Sequence, residues 1–158
     1  MKILVVDDDV DTCEILSDIF QERGYSVITA GTGNEAIDKA SQTTFDAALI
    51  DIKLPDMDGM ELIVALKGMQ ADMVVVMITG YASIETAVRA LSEGVSAYIL
   101  KPLNMDEVLA TVRETLEKRH LVVENRRLLH EIQQELAERK QTEEKLTHLN
   151  SVLWAIRN

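Results

Sequence analysis

Residues 2–9 read Lys2-Ile3-Leu4-Val5-Val6-Asp7-Asp8-Asp9, an apolar run that stops abruptly on a row of acids. A short aliphatic, β-branched run bounded by charge predicts a buried strand. The pattern returns at Ala47-Ala48-Leu49-Ile50-Asp51. Both runs place carboxylates at strand C-terminal ends, the edge where open parallel α/β sheets bind their ligands. Crowded carboxylates repel one another unless a proton or cation joins them. A hard divalent cation, which takes oxygen ligands, satisfies that need.

Two further strand ends converge on the same edge. Val74-Val75-Val76-Met77-Ile78 runs into Thr79, and Ala97-Tyr98-Ile99-Leu100 runs into Lys101-Pro102. Strands are expected at about 2–6, 25–30, 46–50, 73–78 and 96–100, with helices at about 11–23, 33–41, 59–69 and 83–93 between them. This alternation predicts a parallel sheet covered by helices on both faces. Thr32 with Glu35, and Asn104 with Glu107, have capping-box spacing, and Ser83 suits an N-cap. At the first helix Asp11 is expected to be the better cap, with Asp9 as a further charge at the helix start. Gly24 and Gly94 stand where a helix ends on a left-handed residue.

Composition narrows the class of protein. The 158 residues suffice for one domain plus an extension. No apolar run approaches the length of a membrane span, and no signal peptide precedes the first strand. The single Cys13 permits no internal disulfide, which fits a cytoplasmic protein. Of the net charge of −11, nearly all lies in residues 1–103, which hold 17 acids and 7 bases. An acidic domain argues against direct binding of nucleic acid. There is also no helix-turn-helix segment.

The order Asp-Asp, Asp, Thr, Lys-Pro along the chain resembles the receiver domain of bacterial two-component response regulators. The stretches Asp51-Ile-Lys-Leu-Pro55-Asp-Met-Asp-Gly59 and Glu93-Gly94-Val-Ser-Ala-Tyr98-Ile-Leu-Lys101-Pro102 carry the same resemblance. It covers roughly residues 1–120. It implies a flavodoxin-like, doubly wound, five-stranded parallel sheet of order 2-1-3-4-5, which sets Asp7, Asp8 and Asp51 side by side at the switch point. It also implies a chemistry. Asp51 takes a phosphoryl group from a sensor histidine kinase in a Mg²⁺-dependent reaction. The metal ligands implied are the Asp8 and Asp51 carboxylates and the Lys53 carbonyl, with Asp7 acting through a water. Lys101 pairs with Asp51 at rest and with a phosphoryl oxygen afterwards; Thr79 hydrogen-bonds another. Tyr98 is the switch aromatic, and the switched surface is that of the fourth helix, fifth strand and fifth helix. The Lys101-Pro102 bond is expected to be cis. Such a protein is no enzyme beyond its own phosphorylation and dephosphorylation. Lys53 and Gly80 flank the path of attacking water and would tune the lifetime of the phosphorylated form.

After Asn104 neither proline nor glycine occurs, and the helical pattern persists. Val122, Leu129, Leu136, Glu143 and Asn150 share one heptad position; Asn125, Ile132, Arg139, Leu146 and Leu153 share the other. Residues 121–158 are therefore expected to form a helical linker, a coiled coil that pairs the chain into a homodimer. The stretch Glu135-Leu-Ala-Glu-Arg-Lys140-Gln-Thr-Glu-Glu-Lys-Leu146 resembles linkers that lead to sensory or histidine-kinase modules, so the chain is expected to be a fragment lacking its output domain.

Other readings fit less well. Gly31-Thr-Gly33-Asn-Glu-Ala36 matches a dinucleotide fingerprint but follows the second strand, and no acid ends a strand about 20 residues later; a turn and the Thr32 cap explain both glycines. His130-Glu131-Ile132 resembles a kinase phosphoacceptor box but lacks the basic residue and proline that follow it. A phosphatase of the haloacid dehalogenase type needs Asp-x-Asp-x-Thr/Val, which Asp7–Asp11 does not supply. The alternative kept is a binding-only receiver that acts through its coiled coil without phosphorylation.

Overall fold

A computed structural model describes residues 1–80 and 83–157. Residues 81 and 82 lie outside that set, as does Asn158, the last residue of the expected linker. The order is β1 (Lys2–Val6), α1 (Val10–Glu22), β2 (Ser26–Ala30), α2 (Gly33–Gln42), β3 (Ala47–Asp51), α3 (Gly59–Met69), β4 (Val74–Thr79), α4 (Ile84–Ser92), β5 (Ala97–Leu100) and α5 (Met105–Arg157). All strands are parallel, in the order β2-β1-β3-β4-β5. This is the flavodoxin-like, doubly wound sheet with a long C-terminal helix.

The aliphatic runs become central strands because both of their faces are covered. On one face Ala36, Met60, Ile63, Leu66 and Ala90 pack against Leu4, Val6, Ile50 and Met77. On the other, Leu16, Phe20, Val108, Val112 and Leu116 pack against Ile3, Val5, Leu49 and Val76. Phe20 meets Tyr25 edge to face, with ring centroids 5.7 Å apart. Contacts divide the chain into Met1–Arg119 and His120–Asn158. In the second unit every described residue is exposed except the half-buried Glu124. No helix among the described residues is long and apolar enough to cross a membrane.

Gly24 and Gly94 have φ of 88° and 90°, as a left-handed helix end requires. The Thr32, Ser83 and Asn104 side chains accept the backbone N–H groups of Glu35, Thr86 and Asp106. Two local expectations are corrected. Asp9, not Asp11, caps α1: its carboxylate accepts the Asp11 N–H at 3.1 Å and the Thr12 hydroxyl at 2.9 Å. The helix starts at Val10, one residue early, which puts Asp11 inside the first turn. The Glu35 carboxylate reaches Gly31 N–H at 3.0 Å, so the expected capping box closes one residue further back.

Candidate functional site

Adjacent β1 and β3 pair Val6 with Ile50, so their next residues, Asp7 and Asp51, emerge together from the C-terminal edge. Both are buried, at 3% and 7% exposure, whereas Asp8 is exposed. Lys101 enters from the end of β5. Its Nζ donates to Asp51 Oδ2 at 2.9 Å and to Asp7 Oδ2 at 3.0 Å. The other oxygens are used as well: Asp7 Oδ1 accepts Asp9 N–H at 2.9 Å, and Asp51 Oδ1 accepts Lys53 N–H at 3.0 Å. The Lys101-Pro102 peptide is cis.

The electrostatics follow from burial. Desolvation pushes the Asp7 carboxyl above its usual range, although the Asp9 N–H and the Lys101 ammonium oppose it. Desolvation pulls Lys101 down, but its hydrogen bonds to Asp51 and Asp7 outweigh that and leave it raised. Cys13 Sγ donates to the Asp7 carbonyl at 3.3 Å; its thiol is raised by burial first and by the Asp7 charge second.

Asp7, Asp8 and Asp51 can each offer an oxygen such that the three lie within 4.8 Å of one another. Three carboxylates facing one ammonium form an all-oxygen, net-negative donor set, which fits a hard divalent ion such as Mg²⁺. Thr79 is fully buried at the end of β4, and its carbonyl accepts Lys101 N–H at 2.8 Å. Thr79 and Lys53 line an open cleft together with Pro55, Asp58 and Thr86. Lys53 is exposed and forms an isolated antiparallel bridge with Asp58. A Cβ on Gly80 would meet nothing within 4 Å. Tyr98, three residues before Lys101, is half-buried against the cluster that holds Met77 and Ala90.

One residue near the site escapes a reading of sequence. The Asp56 carboxylate spans the start of α2, accepting Gly33 N–H at 2.8 Å and Asn34 N–H at 2.9 Å. Those N–H groups carry the positive end of the helix dipole, and they hold Asp56 below its usual pKa. The loop after Asp51 is thereby pinned to α2. Gly33 is the first residue of α2, where the expected helix at 33–41 begins, and a Cβ there would overlap the Met57 thioether. The apparent dinucleotide fingerprint is thus a helix start already filled by an internal carboxylate.

The site is thus an acid cluster with its lysine at the C-terminal edge of a doubly wound 2-1-3-4-5 sheet. Residues 3–113 match the family model of the response regulator receiver domain, and the chain belongs to that family. Among curated proteins it is similar to the transcriptional regulatory protein ZraR of Escherichia coli O157:H7, 37% identical over 122 residues, which are 77% of this chain and 28% of that protein. The chain therefore spans under a third of that relative's length. Among solved structures it is similar to a CheY-like receiver domain protein from Methanospirillum hungatei JF-1 (TM-score 0.73, 39% identity, 75% of this chain and 95% of that one). It is also similar to a Burkholderia pseudomallei response regulator that carries a phosphorylated aspartic acid, a calcium ion and citrate (TM-score 0.68, 32% identity, 76% of this chain and 71% of that one).

Proposed function

We propose that Asp51 is a phosphoacceptor and that this chain is the receiving end of a two-component relay. The observation that carries the reading is the Lys101 ammonium bridging Asp51 and Asp7 within the three-carboxylate cluster. Asp51 Oδ attacks the phosphorus of a phosphohistidine on a sensor kinase. A P–O bond forms, the P–N bond breaks, and the imidazole leaves with its electron pair and takes up a proton. Such transfer needs positioning and charge neutralisation more than covalent help from the protein. Lys53 N–H fixes the Asp51 carboxylate by holding Oδ1. Asp7, Asp8, Asp51 and the Lys53 carbonyl would hold Mg²⁺, which when bound neutralises charge on the transferring phosphoryl group. Lys101 then exchanges a carboxylate oxygen for a phosphoryl oxygen, and the Thr79 hydroxyl donates to another.

The readout is the face formed by α4, β5 and α5, with Tyr98 as its mobile aromatic. The Burkholderia relative, with its phosphorylated aspartate and calcium, supports the acceptor and cation parts of this reading. The helix beyond residue 120 would carry the change to an output module. ZraR is described as a transcriptional regulatory protein, which favours a transcriptional output over the sensory or kinase one that the linker sequence suggested.

Beryllofluoride, which mimics a phosphoryl group on a carboxylate, tests the site. With Mg²⁺ present, the expected result is bound ¹⁹F resonances for the parent protein and none for Asp51→Asn. Resonances retained in Asp51→Asn would remove Asp51 from the acceptor role.

A further inference from the structure

The chain holds seven methionines, and their surroundings differ. Met60, Met73 and Met77 are buried in the core, out of reach of a dissolved oxidant. Met1 and Met69 are exposed on the surface. Met105 packs at the start of α5 against the opposite face of the sheet from Met60. Met57 is both reachable and structurally engaged. It lines the open cleft beside Lys53 and Thr79, so small molecules in water have access to it. Its inner side packs against the cluster that holds Ile50, Met60 and Ile63. Its Cγ, Sδ and Cε crowd the position that a Gly33 Cβ would take, so the thioether rests on the bare backbone of α2. This contact is the apolar half of the tie between the loop and α2; the Asp56 carboxylate is the polar half.

We propose that Met57 is an oxidation site, at which a small peroxide converts the thioether to the sulfoxide and so releases the 52–58 loop from α2. The sulfur lone pair attacks one peroxide oxygen. The S–O bond forms as the O–O bond breaks, and the departing oxygen takes up a proton, so hydrogen peroxide leaves as water. Sulfur loses two electrons and the peroxide gains them. The product is a polar, chiral group where a flexible apolar one stood. Its new acceptor oxygen meets donors that are already taken. At the start of α2, Gly33 and Asn34 N–H donate to Asp56, Glu35 N–H to Thr32 and Gly31 N–H to Glu35. Burying an acceptor without a partner is unfavourable, so the side chain turns out into the cleft and leaves Gly33. The loop carries Lys53, whose N–H holds Asp51 Oδ1, so its release reaches the Asp51 carboxylate. Only the consequence for signalling rests on Asp51 being the acceptor.

The test uses the unphosphorylated full chain and graded hydrogen peroxide. Peptide mapping is expected to show Met57 oxidised well before Met60, Met73 and Met77. Hydrogen exchange on the same samples is expected to run roughly tenfold faster in residues 52–58 and 32–36 once Met57 is oxidised. Methionine sulfoxide reductases should restore the protection without any substitution. Met57→Leu keeps an apolar contact and removes the sulfur, so its exchange should not respond to peroxide, although Met1 and Met69 still oxidise. Met57→Gln, polar and of similar length, should exchange fast without peroxide. Met57 oxidised no sooner than the three buried methionines would overturn the proposal. So would a Met57 sulfoxide that leaves exchange in both segments unchanged, or a response to peroxide that persists in Met57→Leu. Magnesium titration of the oxidised parent should show affinity weakened roughly threefold, and unchanged affinity would overturn the link to the acid cluster. A parent that binds no Mg²⁺ before oxidation would count against the proposed function and not against the oxidation site.

Discussion

Lys101 Nζ lies 2.9 Å from Asp51 Oδ2, although the two residues are 50 positions apart in the chain. The ammonium occupies the inner side of a cluster that otherwise offers only carboxylates, because its second bond goes to the buried Asp7.

Removing that ammonium has two opposite consequences. Lys101→Ala leaves two buried carboxylates without a counter-charge and is expected to cost about 2 kcal/mol of metal-free stability. The same change frees oxygens for a cation. Thermal unfolding with and without Mg²⁺ should therefore give a larger metal-induced rise in Tm for Lys101→Ala than for the parent. An equal or smaller rise would mean that Lys101 and the cation do not compete.

The loop after Asp51 is closed by backbone contact. A Cβ on Gly59 would stand 2.6 Å from the Asp51 carbonyl and 2.6 Å from Ile52 Cα, neither of which can yield. Gly59→Ala is expected to cost about 2–3 kcal/mol in denaturant unfolding. Gly33→Ala meets only the flexible Met57 side chain and is expected to cost about 1 kcal/mol. Equal costs would contradict this picture of the two glycines.

Asp56 is expected to act through the loop it pins. Asp56→Ala frees the segment that carries Lys53 and should weaken Mg²⁺ binding roughly tenfold, while Asp56→Asn keeps an accepting oxygen and most of the affinity. Isothermal titration with Mg²⁺ measures both. Unchanged affinity in Asp56→Ala would limit Asp56 to capping α2.

At the opposite edge of the sheet, Arg119 Nη2 donates to Asp46 Oδ1 at 3.1 Å and Nη1 to the Asp46 carbonyl at 3.0 Å. Burial pushes the Asp46 carboxyl up, but Lys2 N–H and Arg119 hold it below its usual value. A lowered carboxyl contributes stability above its unfolded pKa of about 3.9 and loses it as pH falls through the folded value. Arg119→Ala is expected to cost about 1 kcal/mol at pH 7. The gap should narrow below about pH 4 without closing, since the carbonyl bond does not titrate. A gap constant down to pH 2.5 would place the whole effect in the carbonyl bond and packing.

The legibility of this chain depended on distance along it. Ile3–Val6 and Ala47–Ile50 declare themselves because a strand buried on both faces must be continuously apolar. Each observed boundary lies within about a residue of the expected one. Asp7, Asp51 and Lys101 converge because parallel strands all end on one edge, so a residue just past an apolar run can be placed without coordinates. Asp56 could not be found that way. Its partners are 22 and 23 positions distant, and nothing in a loop of one proline and two acids announces a helix start above it. Asp11 is the expected cap and Asp9 is the observed one, because α1 begins one residue earlier than its pattern suggests.

Intact mass after incubation with Mg²⁺ and acetyl phosphate, for the parent and Asp51→Asn, tests whether Asp51 is the phosphoacceptor. One phosphoryl adduct on the parent and none on Asp51→Asn is the predicted result. An adduct on both would move the acceptor to another residue. No adduct on a folded parent would contradict the account and favour a receiver that works by binding alone.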